Sequence, residues 1–197
     1  MIPDCTAVIL TGGDSRRMGQ DKASLKLGER SLMQHVITLV QPLFSDVVIS
    51  VRHPRSDITL PQVCDDSAHR GPLAGLAAGL QSAKTPWIFA VACDMPFIEP
   101  IVIERLAKFR DDHQAVVPMV QGYPQPLLAF YSADCLAEVL GCLNGDGKHS
   151  MRELLERLQV RYVSEDELLV DGPVLSSFID LDTPEDVAME MNKQGMY

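Results

Sequence analysis

The densest group of residues that could do chemistry lies between Leu10 and Lys22, with the sequence LTGGDSRRMGQDK. Two consecutive glycines, Gly12 and Gly13, allow backbone N–H groups to converge on anionic oxygens, and Arg16, Arg17 and Lys22 bring positive charge close by. The spacing fits neither G-x-G-x-x-G nor G-x-x-x-x-G-K-[ST], which disfavours a Rossmann dinucleotide site and a P-loop. We therefore interpret the segment as a phosphate-binding loop of another kind; the alternative is a glycine-rich turn with solvated charges.

A second candidate is Asp94, which directly follows the seven apolar residues from Trp87 to Cys93. Such a run predicts a buried strand, and a carboxylate at its end would be held rigidly at the edge of a sheet. There it could bind Mg²⁺ that is also attached to phosphate oxygens. The alternative is an aspartate that starts the Asp-Met-Pro turn or caps the next helix.

Two further pairs of acidic residues follow or lie on predicted strands. Asp65 and Asp66 end a short apolar stretch and precede Gly71, and they are candidates for contact with a ligand. The alternative is that they form a solvated turn. Asp180 and Asp182 lie two residues apart on a predicted late strand, where their side chains would project to the same face. The alternative is that one of them caps the final helix while the other is solvated.

A loop histidine and a partly basic loop are weaker candidates. His69 follows Asp65 by four residues and could contact a ligand, although loop histidines are more often solvated. The segment 145–152 has the sequence GDGKHSMR and could reach a phosphate group, or could simply be a turn. The chain has no H-E-x-x-H and no G-x-S-x-G motif, which disfavours a zinc protease and a serine hydrolase.

The elements that must position these residues alternate between buried strands and helices. Strands are predicted at 7–10, 46–51, 63–64, 87–93, 115–120, 127–131 and 178–181. Helices are predicted at 31–43, 71–83, 99–110, 133–143 and 150–158, and a last one opens at Thr183-Pro184. This alternation predicts a three-layer α/β/α, Rossmann-like fold with a mainly parallel central sheet. In such folds ligands bind at the carboxyl ends of the strands.

Length and composition bound the architecture and the location. The chain has 197 residues, of which 46% are hydrophobic and 22% charged. This length and composition predict one domain spanning residues 1–197. The longest apolar run is seven residues, far below the roughly 20 needed to cross a bilayer. Because no secretory signal is readable either, we expect a cytoplasmic protein that does not enter the membrane.

Charge and cysteine usage exclude other classes of partner. The net charge of −10 disfavours binding to nucleic acid or to anionic membranes. Five basic side chains nevertheless lie between residues 16 and 30, where a small polyanion could bind.

The five cysteines show no CxxC spacing, which argues against a disulfide framework and a zinc site. We expect them to be reduced packing residues.

The segment GGDSRRMGQDKA resembles the GG-x-S-x-RMG-x-DK signature of MobA, the molybdenum cofactor guanylyltransferase family. The resemblance continues through 71–75, 93–96, 126–131 and 178–184 and so covers nearly the whole chain. It implies a nucleotidyltransferase fold and the transfer of GMP from GTP to the terminal phosphate of molybdopterin, with Mg²⁺ and release of pyrophosphate. It further implies other molybdenum-cofactor biosynthesis proteins and apo-molybdoenzymes as partners.

The resemblance also implies roles for individual residues. The implied nucleotide-binding set is Leu10, Thr11, Gly12, Gly13, Lys22, Ser50, Asp66, Gly71, Pro72, Leu73 and Asp94. The implied catalytic residues are Lys22, Arg17 and Asp94, with Asp94 as the metal ligand. Ser50 stands where the family commonly carries Asn and can make fewer hydrogen bonds. The family often has Asn at 180 and 182 and assigns them to the pterin, so Asp180 and Asp182 are expected to hold a second metal or contact the pterin.

Three alternative functions remain open at this point. A molybdopterin cytidylyltransferase typically has Ala where Gly12 stands and lacks the GPLAG segment at 71–75. Sugar-phosphate nucleotidyltransferases of this class are usually longer. A non-catalytic nucleotide-binding module would not need both Lys22 and Asp94. These features favour the guanylyltransferase.

Overall fold

A computed structural model describes residues 1–11, 22–65, 68–168, 174–181 and 183–194. The strands in these ranges are β1 Cys5–Leu10, β2 Lys26–Leu27, β3 Arg30–Ser31, β4 Asp46–Val51, β5 Gln62–Cys64, β6 Trp87–Ala92, β7 Ala115–Val120, β8 Tyr123–Pro124, β9 Leu128–Ser132 and β10 Val160–Val163. The α-helices are α1 Leu32–Val40, α2 Pro72–Ser82, α3 Pro100–Leu106, α4 Leu136–Asn144, α5 Met151–Leu155, α6 Glu165–Leu168 and α7 Pro184–Gln194. Short 3₁₀ helices cover Lys22–Ser24, Ala107–Phe109, Ala133–Cys135 and Val174–Phe178.

Strands β1, β4, β5 and β6 form the parallel half of a central sheet, which has the order β10-β7-β9-β6-β1-β4-β5. Strand β9 runs antiparallel to both of its neighbours, and β8 pairs with β7 as a short hairpin. Strands β2 and β3 form a separate hairpin. The mainly parallel sheet confirms the predicted fold class.

The register brings the carboxyl ends of the parallel strands together. Leu10, the last residue of β1, pairs with Ser50 on β4 and with Ala92 on β6. Ser50 pairs in turn with Val63 on β5. We call this side of the sheet the carboxyl edge; most of the candidate residues in the described ranges follow strands that end there.

Alternate residues of β1 belong to different hydrophobic clusters, as expected for a central strand covered on both faces. Ala7 and Ile9 pack in the cluster that contains the buried residues of α3 and most of those of α1. Val8 and Leu10 pack in the cluster that contains those of α2, α4 and α5. The two clusters confirm the predicted three layers.

Two helix starts that the sequence predicts are confirmed by side-chain caps. Ser31 Oγ accepts a hydrogen bond from the Gln34 N–H (3.2 Å), and the Gln34 side chain accepts one from the Ser31 N–H (2.9 Å). Thr183 and Asp186 cap α7 in the same reciprocal way (3.0 and 2.8 Å). Such capping boxes satisfy two backbone donors that the first helical turn leaves without partners.

The strand predicted at 178–181 is wrong, since this segment is the end of a 3₁₀ helix followed by irregular backbone. Its apolar residues Ile179 and Leu181 pack instead with Leu27, Leu32 and Val187 in a third small cluster. The apolar residues of this segment therefore indicate a packed loop. Asp180 does not lie on a strand, contrary to the prediction. Asp182 lies outside the described residues.

Two other expectations need correction. Strand β10 was not predicted, because Val160–Val163 is a short edge strand with two polar residues. None of the five cysteines, which all lie in the described ranges, forms a disulfide; four are buried, but Cys64 is exposed and so is not a packing residue. In the described ranges, no helix combines the length and apolarity that crossing a membrane requires.

Candidate functional site

The end of β1 is fixed to both neighbouring strands just before the glycine-rich segment begins. The Thr11 N–H and the Thr11 hydroxyl both donate to the Ser50 carbonyl (3.1 and 2.7 Å). On the other side, the Cys93 N–H donates to the Leu10 carbonyl (3.1 Å). Leu10 and Thr11 therefore lie at the carboxyl edge, directly before the segment that the sequence predicts to bind phosphate.

A buried hydrogen bond joins Ser50 to Asp65 at the same edge. The Ser50 hydroxyl, only 1% exposed, donates to Asp65 Oδ1 at 2.8 Å. Burial raises the pKa of Asp65, while the Ser50 hydrogen bond and the charge of Arg52 act in the opposite direction. Asp65 is thus oriented toward the protein. Sequence reasoning missed this pairing, because a local pattern does not show which strand ends become neighbours in the sheet.

Helix α2 begins at the carboxyl edge, and two glycines there are required for different reasons. Gly71 has φ +85° and would meet no atom within 4 Å if it carried a Cβ, so its backbone conformation is what requires glycine. A Cβ on Gly75 would lie 2.9 Å from Ser50 Oγ and 3.0 Å from Leu10 Cδ2. The Leu73 side chain packs in the cluster that contains the buried residues of α2, α4 and α5, so contact with a ligand is expected from its main chain. The first turn of α2, where Pro72 is the first residue, presents its positive dipole end there.

Asp94 follows β6 in a turn whose main chain is held on both sides. The preceding residue, Cys93, donates to β1, and the Asp94 carbonyl accepts a hydrogen bond from the Leu181 N–H (2.9 Å). Asp94 itself is half-buried, whereas the next residue, Met95, is buried. The turn is therefore rigid where the sequence predicts a metal-binding carboxylate.

The segment 176–181 packs along the turn that carries Asp94. Ser177, which is fully buried, accepts a hydrogen bond from the Glu99 N–H at 3.0 Å. Asp180 is exposed and directly precedes Leu181, whose N–H binds the Asp94 carbonyl. The structure thus brings the backbone of Asp180 close to the Asp94 turn without the strand that the sequence predicts.

The comparisons with known proteins identify the family of this chain. Residues 7–162 match the family model described as MobA-like NTP transferase domain. The chain belongs to this family. It is 34% identical to a probable molybdenum cofactor guanylyltransferase of Pelotomaculum thermopropionicum, covering 92% of this chain and 89% of that protein. It is 35% identical to the molybdenum cofactor guanylyltransferase of Desulfosudis oleivorans, covering 92% of each.

A solved structure is similar over the same length. The crystal structure of molybdopterin-guanine dinucleotide biosynthesis protein A from Archaeoglobus fulgidus has a TM-score of 0.84 and 27% sequence identity. The similarity covers 98% of this chain and all of that one. The MobA-like chain described here is a nucleotidyltransferase with the fold of that protein.

Several residues expected to act in this MobA-like protein cannot be placed. Gly12, Gly13, Arg17 and Asp66 lie outside the described residues, as does the side chain of Lys22. The main chain of Lys22 is described and begins a 3₁₀ helix. Their roles stay predictions.

Two loops of this MobA-like chain that the sequence treats separately meet beyond the start of α2. The rings of His69 and His149 lie edge to face, with their centroids 6.4 Å apart. The His69 carbonyl accepts a hydrogen bond from Arg52 (2.6 Å), and the His149 ring pairs with the Gly145 carbonyl (2.7 Å). The loop 145–150 therefore borders the candidate site, and its contact with a phosphate stays a prediction.

Proposed function

We propose that this protein transfers GMP from GTP to the terminal phosphate of molybdopterin, giving the guanine dinucleotide cofactor and pyrophosphate. Membership of the MobA-like family and the names of the relatives support this reaction. The observation that carries it is the convergence of the Asp94 turn, the end of β1 and the start of α2 on one edge. Phosphate, metal and base sites would then be contiguous.

Asp94 is proposed as the Mg²⁺ ligand. Mg²⁺ prefers oxygen ligands and is usually held by one or two carboxylates together with substrate phosphates. In the described ranges no three His, Cys, Asp or Glu side chains cluster closely enough to enclose a metal ion, so an all-protein cage is not available there. A single carboxylate on a rigid turn fits such a shared site. When bound, Mg²⁺ would neutralise negative charge on the triphosphate.

The proposed chemistry is a direct displacement. An oxygen of the molybdopterin phosphate forms a bond to the α-phosphorus of GTP, and the bond from that phosphorus to the bridging oxygen breaks. The electron pair leaves with pyrophosphate. Because a phosphate monoester is anionic near pH 7, the nucleophile needs no general base.

The work of the protein in this reaction is positioning and charge neutralisation. The Gly12 and Gly13 N–H groups, Arg17 and Lys22 are proposed to contact the triphosphate as charge shifts toward the leaving group. Each positioned donor of this kind is worth about 10² to 10³ in rate. No covalent intermediate with the protein is required.

Guanine is proposed to bind at the start of α2. Main-chain groups of Gly71, Pro72 and Leu73 lie at the carboxyl edge and can recognise polar groups on a base, with Asp66 and Ser50 as further nucleotide contacts. We propose the cytoplasm as the location of this reaction. Its product would pass to apo-molybdoenzymes, directly or through other cofactor-biosynthesis proteins.

The test is a pyrophosphate-release assay with GTP, Mg²⁺ and molybdopterin, followed by identification of the dinucleotide product. Asp94→Asn should abolish most of the release, whereas Asp111→Asn should not, since Asp111 is an exposed residue in the loop before β7, at the opposite end of the sheet. Release that needs no acceptor, or that occurs with CTP and not GTP, would refute the proposal.

A further inference from the structure

The loop between β4 and β5 is fixed by a side chain of β5. Gln62 accepts a hydrogen bond from the Arg55 N–H at Oε1 (2.8 Å) and donates from Nε2 to the Arg55 carbonyl (2.8 Å). The same Nε2 donates to the Ile58 carbonyl (3.2 Å). An amide that pairs with both backbone groups of one residue sets the position of that residue, so the main chain of Arg55 is well defined.

The guanidinium of Arg55 joins this loop to the turn that begins at Lys22. Its Nε and Nη2 donate to the two carboxylate oxygens of Asp57 (3.1 and 2.8 Å), and Nη2 also donates to Ser24 Oγ (3.0 Å). The hydrogen bond from Arg55 lowers the pKa of Asp57. The Arg55 side chain is 21% exposed, and its planar fork is suited to holding two partners in one geometry.

The residues that follow Lys22 are held one after another. Ala23 is fully buried in the cluster that contains α1 and α3. Ser24 is bound by Arg55 across 31 positions of the sequence. The Leu25 carbonyl accepts a hydrogen bond from the Leu32 N–H at the start of α1 (2.8 Å). The backbone from which the Lys22 side chain projects is therefore fixed by packing and by long-range hydrogen bonds.

We propose that Arg55 is a positioning residue for the reaction, acting through Lys22 rather than on the substrate. This inference rests on the proposed role of Lys22 in GMP transfer. Arg55 lies in the loop that follows β4, and β4 carries Ser50 at the carboxyl edge. The Arg55–Ser24 hydrogen bond therefore links the backbone next to Lys22 to the edge where the nucleotide is proposed to bind. A misplacement of about 1 Å at a reacting centre can cost up to about 10²-fold in rate.

The test measures kcat and the KM for GTP in Arg55→Ala and Ser24→Ala, each made in the wild-type and in the Lys22→Ala background. In the wild-type background we expect Arg55→Ala to lower kcat about tenfold with little change in KM, and Ser24→Ala to lower it less. In the Lys22→Ala background neither substitution should lower kcat further, because residues that act through one group are not additive. Ser24 is exposed, so its variant should fold normally.

Arg161→Ala is the matched control, because Arg161 also pairs with a carboxylate, that of Glu167, but on the far edge strand β10. It should leave kcat unchanged. Equal losses from Arg55→Ala in both backgrounds, or wild-type kcat in both Arg55→Ala and Ser24→Ala, would overturn the inference while leaving GMP transfer intact. Wild-type turnover in Lys22→Ala alone would overturn the proposed role of Lys22 and this inference with it.

Discussion

At the scale of single residues, Lys22 and Asp94 are proposed to act on the same triphosphate from different elements. Lys22 begins the 3₁₀ helix after the glycine-rich segment. Asp94 follows β6, the strand that pairs with β1. In this proposal Lys22 would supply a positive charge directly, and Asp94 would supply one through a bound cation. The two contributions can be separated by substitution.

Lys22→Ala should lower kcat by about 10² to 10³, the usual effect of losing one positioned donor to a transition state. Steady-state kinetics with GTP and acceptor would measure it. The control is Lys108→Ala, since Lys108 is exposed on the 3₁₀ helix that follows α3, remote from the carboxyl edge. Turnover at the wild-type rate in Lys22→Ala would remove this residue from the mechanism.

Of the two roles predicted for Asp180 and Asp182, metal binding and pterin contact, we propose metal binding shared with Asp94. The hydrogen bond from Leu181 to the Asp94 carbonyl supports this by holding the two segments together. Two carboxylates beside a pterin phosphate would repel it unless a cation lay between them. Asp180→Asn or Asp182→Asn should therefore raise the apparent Mg²⁺ requirement of pyrophosphate release about tenfold at saturating acceptor. An unchanged Mg²⁺ titration in both variants would return the pair to pterin binding or helix capping.

Asp65 makes stability depend on pH with a definite sign. Because burial raises the pKa of folded Asp65, the folded protein keeps this proton after the unfolded chain has released it. The stability that Asp65 contributes therefore falls as the pH rises from the ordinary pKa of aspartate, near 3.8, to the raised pKa of folded Asp65. Asp65→Asn keeps an acceptor for Ser50 without the buried charge, so it should raise the Tm at pH 7.5 and lose that advantage toward pH 4. A Tm increase that is equal at both pH values would contradict this.

The residues that sequence reasoning could and could not predict differ in a physical way. Asp94 was predictable because an acidic residue directly after a long apolar strand must lie at the end of that strand. The Ser50–Asp65 and Arg55–Ser24 hydrogen bonds were not, because they join side chains whose proximity depends on how β4, β5 and the turn at Lys22 are arranged in space. Local patterns carry no signal for such pairs.

At the scale of elements, α2 approaches the sheet closely because its buried face carries glycine. A Cβ on Gly79 would lie 2.7 Å from Val8 Cγ1, and Val8 is fully buried in the central strand. Because neither the strand nor the helix can move away without disturbing the core, overpacking is expected there. This close approach also places the start of α2 beside the end of β1.

Gly79→Ala should lower the free energy of unfolding by about 1 to 2 kcal/mol, since overpacking outweighs the gain in helix propensity. Gly141→Ala on α4 is the matched control: its Cβ would be 3.8 Å from its nearest neighbour, Arg157 Nη1. That variant should raise the free energy of unfolding by about 0.5 to 1 kcal/mol. Urea denaturation would measure both, and stabilisation by Gly79→Ala would show that α2 lies farther from the sheet.

The order of most elements followed from periodicity, whereas the conformation of the segment 178–181 did not. The strands β4 and β7 have the predicted bounds because each is rich in apolar, β-branched residues over a strand length. The segment 178–181 is also apolar but packs against the β2–β3 hairpin and α7 in an irregular conformation. Apolar residues report burial, and tertiary packing decides whether a buried segment is a strand.

At the scale of the whole molecule, charge works against substrate binding. The chain carries a net charge of −10, and both proposed substrates are anions. Long-range attraction is therefore not expected to bring them to the site, and we propose that binding depends on the basic residues between 16 and 30 and on Mg²⁺. Nucleotide binding should accordingly be strong only with Mg²⁺ present.

Base selectivity is the property that separates this protein from a cytidylyltransferase of the same fold. The most direct measurement is a thermal-shift series with GTP, CTP, ATP and UTP, each with Mg²⁺ and each with a chelator. A ligand at a hundred times its Kd stabilises by about 2.7 kcal/mol, which corresponds to about 5 to 11 °C for a chain of this size. GTP with Mg²⁺ should give a shift in this range that exceeds the shifts of the other three. An equal or larger shift with CTP would contradict the assignment as a guanylyltransferase.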